Sequence, residues 1–244
     1  SEISAQKLFA ALENIHANVE ELLFLARDFH HDANSEFRNQ LFKAVNPKDL
    51  TSLHTLYQRE YQKIPFSKDK QEHILNAILI KSYMKAIDET ITLTSEEERV
   101  LHDYLFSVEI WGLYELSFFS SCSPLLSVQL LTKYTREMLR KSDFLQGVGK
   151  NRNMMHTLLL NGFMACIEVD DFTNALYFKK QIEKNFFEEN ETYFRIVYLW
   201  AEGLLDSKQG RVEDGQRKME DAVRIFEMIG CSKSADYYRS AIEC

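Results

Sequence analysis

The chain has 244 residues, 45% of them hydrophobic, with 8 glycines, 3 prolines and a formal net charge of −8. That apolar content can bury one sizeable core or a row of small stacked ones, and scarce glycine and proline argue for long helices over a loop-rich β fold. Carboxylates spread along the whole length exclude a basic phosphate-binding face, so these residues are not expected to hold DNA or RNA by themselves.

No apolar run of about 18 residues occurs and the N-terminus is polar and acidic, so neither a membrane span nor a secretory signal is expected. Cys122, Cys166, Cys231 and Cys244 lie far apart without a C-x-x-C pair. They read as reduced thiols of a cytoplasmic protein, with Cys166 packed in the core. The pair His30-His31 has no carboxylate or cysteine at motif spacing, and no phosphate-loop, nucleophile-elbow or H-E-x-x-H pattern is present. No cofactor, metal site or enzymatic activity is expected.

In chain order, Ser4 is an N-cap before Lys7, Leu8, Ala11, Leu12 and Ile15, and Asn18 opens a second short helix with Glu20, Glu21, Leu22 and Leu23. Helical hairpins begin at Asn34-Ser35, expected to cap SEFRNQLFKAV. Pro47 is expected at the first turn of PKDLTSLHTLYQREYQ. Pro65 ends that pair. SKDKQEHILNAILIKSYMKAI carries the stripe Ile74, Ala77, Ile78, Tyr83 and Ile87, and Thr94-Ser95 with Glu97 and Glu98 starts the next helix. VEIWGLYELSFFSS and a helix opened by Pro124 lead to the central hairpin.

That hairpin runs from Val148 to Asn185. Its first helix is apolar almost all round (Met154, Met155, Leu158, Leu159, Leu160, Phe163, Met164, Cys166, Ile167), so neighbours must cover most of its sides. Asn161 sits inside that run, where an amide needs a hydrogen-bond partner. After the turn at Asp170-Asp171, Phe172, Ala175, Phe178 and Ile182 recur at helical steps. The β-branched and aromatic stretch Phe186 to Trp200 lies in a helical context. Gly203, Gly210, Gly215, Met219 and Ala222 then fall on the small- and large-residue positions of a tetratricopeptide-type repeat, where small residues let two helices approach closely. A last helix starts at Ser232. Four hairpins of roughly 40 residues each fit an α-solenoid period.

The block YLFSVEIWGLYELSFFSSCSPLL (Tyr104 to Leu126), with Trp111-Gly112 and Tyr114-Glu115-Leu116, then the central hairpin and the terminal QGRVEDGQRKMEDAVRIFEMIG, resembles the Rgg family of transcriptional regulators. The stretch Ser4 to Phe24 is similar to the last two helices of a Cro-type helix-turn-helix domain, whose recognition helix comes earlier and is expected upstream of Ser1. The resemblance implies an all-α fold, a right-handed superhelix of stacked helical hairpins. Residues 1–28 would be the remnant of the helix-turn-helix domain with its linker helix, and residues 29–244 the peptide-binding and dimerisation domain. It also implies a cytoplasmic quorum-sensing regulator, of a family that includes virulence regulators. Such a regulator acts as a homodimer, binds a short hydrophobic signalling peptide, and binds promoter DNA through the N-terminal domain. A scaffold that docks a protein partner, without DNA or signal, is the alternative.

In such an array the first helix of each pair lines the hollow side. Candidate peptide-binding residues there are Asn76 and Tyr83; Trp111, Tyr114 and Glu115, expected on one helix; Arg152, Asn153 and Asn161; and Arg195 with Tyr198. Amides at Asn76 and Asn161 could clamp a peptide backbone, and Arg152 or Arg195 could take a carboxylate. Each has a plainer reading: a bond to a neighbouring turn for the amides, a pair with Glu202 for Arg195, helix packing for Trp111 and Tyr114. Nine positions at about 100° each put Arg152 and Asn161 on opposite sides of their helix. His102 and His156 are candidates for a pH response if a carboxylate or tyrosine stands beside them, with a packed neutral ring as the plainer reading. Ala235, Tyr238 and Ile242 form one stripe of the last helix and are the candidate dimer contact.

Overall fold

The computed structural model describes residues 4–16, 19, 22, 33–45, 48–141, 149–184 and 186–242. Expectations for Asn18, Glu20, Glu21, Leu23, His30, His31 and Pro47 lie outside them. Within them the chain is helical, without strands: α1 (Ala5–Asn14), α2 (Ala33–Val45), α3 (Leu50–Lys63), α4 (Lys70–Lys85), α5 (Ser95–Ser107), α6 (Leu113–Cys122), α7 (Val128–Lys141), α8 (Gly149–Glu168), α9 (Phe172–Lys184), α10 (Thr192–Lys208), α11 (Val212–Met228) and α12 (Ser232–Ser240). Among the described residues no helix is long and apolar enough to cross a membrane.

Caps set most boundaries. The Ser4 hydroxyl accepts from the Lys7 amide at 3.4 Å, as its position predicts. Asp49 caps α3 and Asp69 caps α4. Thr94 and Glu97 form a complete capping box at the start of α5. Three expected boundaries shift. Asn34 and Ser35 lie inside the first turn of α2 rather than before it. Pro124 belongs to a 3-10 turn over Ser123–Leu125, and α7 starts later, at Val128. Gly112 begins α6, so Trp111 precedes that helix instead of sharing it with Tyr114 and Glu115.

The helices pair as α3–α4, α8–α9 and α10–α11, while α4, α6, α8 and α10 pack one on the next as an inner row. This is the stacked-hairpin architecture the periodicities predict. The tightest crossing joins α10 and α11, where a Cβ at Gly215 would stand 2.5 Å from the Gly203 carbonyl oxygen and 2.6 Å from the Ser207 amide. Glycine at both positions therefore lets the two backbones touch. Gly162 plays the related part in the central hairpin, seating the ring of Phe178.

The buried side chains form two clusters, one reaching from Leu41 to Leu158 and the other from Leu159 to Tyr238. Helix α8 contributes to both, which is why its sequence is apolar on nearly every side. Beneath the first cluster lies a charged knot. Glu97 is fully buried, accepts from Lys81 Nζ at 2.6 Å, and takes the hydroxyls of Tyr57 and Tyr61 at 2.9 and 3.0 Å. Burial pushes its carboxyl upward, but Lys81 and the Thr94 amide outweigh that and hold it below the usual carboxylate range.

Candidate functional site

A ligand-sized hollow opens where α8 meets the segment between α9 and α10. It has a volume of about 240 Å³. Leu139 of α7, Met155 and Leu159 of α8 and Phe186 make its apolar walls, and Arg152, His156, Glu188 and Glu191 its polar ones. A second hollow of about 350 Å³, lined by Gly149, Asn153, Asn190, Tyr193 and Phe194, shares Arg152 and Glu191 with the first. The ion-paired Arg152 and Glu191 thus stand between the first hollow and a more polar second one.

The bridge follows from where the helices end. Arg152 lies in the first turn of α8, and Glu191 is the residue before α10. Arg152 Nε donates to Glu191 at 3.0 Å, and its Nη1 to Glu188 at 2.6 Å. The other Glu191 oxygen accepts the Glu188 backbone amide at 2.7 Å. Burial raises the Glu191 carboxyl, yet this amide, His156 and Arg152 together bring it below the ordinary value. Arg195, from α10, donates to the carbonyls of Phe187 and Glu188 at 2.7 and 3.0 Å and lies over the Phe186 ring. Two guanidiniums therefore lace the loop to the helices on either side of it.

His156 is 4% exposed, its ring edge-on to Phe187 at 4.8 Å and tilted against Phe194 at 5.5 Å. Among the described residues neither ring nitrogen has a partner at hydrogen-bond geometry, and Nε2 stands 3.5 Å from a Glu191 oxygen, an ion-pair separation. Burial presses its pKa down, Glu191 offsets part of this, and the balance stays below the usual imidazole value. Of the two neighbours that sequence reasoning named for a responsive histidine, a carboxylate or a tyrosine, His156 has the carboxylate. His102 has the tyrosine, its ring 6.2 Å from that of Tyr134.

The other candidates divide. Arg152 and His156 meet in the first hollow, and Asn153 lines the second. Asn161 is half-buried on α8, with no hydrogen-bond partner among the described residues. Asn76 is not a free clamp: it donates to the buried carboxylate of Glu60 at 3.3 Å, which His73 also meets at 2.8 Å. Tyr83 and Tyr114 are roofed by α2, through Phe42 at 6.5 Å and Arg38 at 5.8 Å. Glu115 folds back toward Gly112 at the start of α6.

Trp111 is completely buried against Phe119 and forms no part of a groove wall. Arg195 pairs with carbonyls rather than with Glu202, which binds Lys179. Tyr198 is buried and donates to Glu183. The stripe of the last helix also points inward. Ala235 and Tyr238 are buried, Tyr238 between Trp200 and Phe226, and only Ile242 reaches a surface hollow, so the first two cannot serve a dimer contact. Sequence reasoning missed Phe186, Glu188, Asn190 and Glu191; the acidic run ahead of α10 was the available signal.

The family model for the C-terminal domain of HTH-type transcriptional regulator Rgg matches residues 54–240. The chain belongs to the Rgg family. Among solved structures, this Rgg-family chain is similar to a variant of the SHP pheromone receptor Rgg2 of Streptococcus dysgalactiae. That match has 25% identity and a TM-score of 0.82, and spans 100% of this chain and 85% of the other. A variant of PrgX shares 16% identity and a TM-score of 0.69 over 100% of this chain and 80% of its own, a likeness of fold alone. The inner row α4–α6–α8–α10 is thus the Rgg repeat scaffold, and the hollow at Arg152 lies on it.

Proposed function

We propose that this chain is the sensor part of a cytoplasmic, peptide-responsive transcription regulator. A short, extended, mostly apolar peptide lies across the Arg152–Glu191 bridge, with side chains in the hollows on either side. The observation that carries this reading is the pair of adjoining hollows, the second the more polar in its lining, in a chain similar to a pheromone receptor. Asn153 and Asn190, which line the second hollow, are the amides available there to a peptide backbone, which arrives with unpaired donors and acceptors. Residues 1–28 are the remnant, with its linker helix, of a helix-turn-helix domain that holds promoter DNA, and two copies act together. A peptide that prefers one arrangement of the pair by ~2–3 kcal/mol shifts its population enough to switch DNA binding.

Calorimetry with a panel of synthetic hydrophobic octapeptides tests the reading directly. Saturable heat from at least one peptide, abolished when Met155 and Leu159 are replaced by tryptophan to fill the hollow, is the expected result. No heat from any member of the panel would sink it.

A further inference from the structure

We infer that the exposed strip shared by α7 and α9 is a docking surface for an acidic protein segment that carries an apolar residue among its carboxylates. In a chain of net charge −8, α7 holds Lys133, Arg136, Arg140 and Lys141 against Glu137 alone, and α9 holds Lys179, Lys180 and Lys184 against Glu183 alone. Steps of three and four residues put Lys133, Arg136 and Arg140 on one exposed face of α7. Steps of four put Leu176, Lys180 and Lys184 on one exposed face of α9.

The two faces are one surface. Both helices pack on α8. The Arg136 guanidinium lies over the Tyr177 ring at 4.2 Å and donates to Asn174 at 2.9 Å, which holds α7 and α9 side by side. The strip's own acids are already engaged. Glu137 accepts from Arg140, and that bond, with the charges of Lys141 and Lys133, holds its carboxyl below the usual value. Glu183 has Lys179 at 3.7 Å and accepts from the Tyr198 hydroxyl at 3.1 Å. Lys133, Lys180 and Lys184 have no hydrogen bond or ion pair among the described residues. Lys180 and Lys184, one turn apart, repel each other in the free chain, and a carboxylate laid between them relieves that.

Leu176 decides the class of partner. It is 51% exposed and stands one turn before Lys180, where a phosphate backbone has nothing to offer it. An amphipathic acidic segment does, with an apolar side chain for Leu176 and carboxylates for the ammoniums beyond. Three unpaired ammoniums also fall short of the roughly 6–10 phosphate contacts of a protein that holds a duplex strongly. The net negative charge of the whole chain repels such a polyanion further.

Fluorescence anisotropy of two labelled probes with the whole chain tests this. One probe is a helical peptide with leucine at every third or fourth position and glutamate between; the other is a short DNA duplex. The peptide is expected to bind at about 0.1 M salt and to weaken at about 1 M, where charges are screened within about 3 Å. Lys133→Glu combined with Lys180→Glu should weaken it at least roughly tenfold. Lys68→Glu combined with Lys233→Glu makes the same change in net charge at exposed sites on other elements, and should weaken it less than about threefold. Leu176→Ser should weaken the peptide about threefold and leave the duplex unaffected. Every altered side chain is exposed, so circular dichroism should stay helical throughout. A peptide that does not bind, or an equal loss in both charge-reversed pairs, would overturn the inference. So would undiminished affinity in Leu176→Ser, or a duplex that binds more tightly than the peptide and is lost with Lys133 and Lys180.

Discussion

Replacing Gly215 with alanine puts one methyl group where α10 and α11 cross. On the present backbone that carbon would lie 2.5 Å from the Gly203 oxygen, 2.6 Å from the Ser207 amide and 2.9 Å from the Ser207 Cβ. Two of those three atoms are backbone and cannot rotate aside, so the helices must part by about 1 Å to restore van der Waals contact. Overpacking of this kind costs about 1–3 kcal/mol, while alanine in place of glycine in a helix returns up to about 1 kcal/mol. The expected net loss is ~1–2 kcal/mol, or a melting temperature lower by about 2–8 °C at this chain length. Thermal unfolding followed by circular dichroism measures it. Gly149→Ala is the control, because nothing lies within 4 Å of a Cβ there. Adding Gly203→Ala to the first substitution should cost less than its own single effect, since the helices have already separated. A Gly215→Ala chain that melts at or above the parent, with the control unchanged or stabilised, would refute the close-crossing account.

Lys81→Met strands the buried Glu97 carboxylate, and urea unfolding should register a loss of about 3–5 kcal/mol; a loss below about 1 kcal/mol would mean the knot is not a buried ion pair. Since burial keeps the His156 pKa below its ordinary 6.5, the unfolded chain takes up that proton first. Stability from this site is complete above that value and declines as pH falls below it. His156→Phe should therefore flatten the slope of unfolding free energy between about pH 7 and about pH 5.5, and identical slopes would contradict the assignment. Asn153→Ala, in the second hollow, should leave stability within about 0.5 kcal/mol and weaken an octapeptide that binds by roughly tenfold, about 1.4 kcal/mol, in calorimetry; undiminished affinity would remove Asn153 from the site.

The hairpins were legible because their signals are local. Caps at Ser4 and Thr94, apolar steps through Ile74, Ala77 and Ile78, and glycines at Gly203 and Gly215 each act within a turn or two of chain. Where a segment mixed signals, the reading went astray. Trp111 precedes Gly112, and the run of aromatics hid a helix start whose carboxylate, Glu115, folds back onto it. The site was half legible. Arg152 and His156 could be named as types, but Glu188 and Glu191 lie more than thirty positions further on, and no periodicity states which loop a side chain will meet. Asn76 and Tyr198 show the same limit from the other side. Each looked available as a polar group in an apolar run, and each is satisfied by an acid on a neighbouring helix, Glu60 or Glu183. Ala235 and Tyr238 looked like an outward stripe only because a terminal helix has fewer neighbours to predict.

A single helix, α8, furnishes side chains to both clusters, with Met155 and Leu158 on one and Leu159 and Phe163 on the other. It works as a keystone: neither flank has a complete interior without it, so dividing the chain there would leave two fragments with exposed apolar faces and no independent stability. Growth or loss of repeats is therefore tolerable only toward the ends of the array. A rotation of α8 forced by something seated at Arg152 would have to be accommodated on both flanks at once, which gives a small local event a long reach.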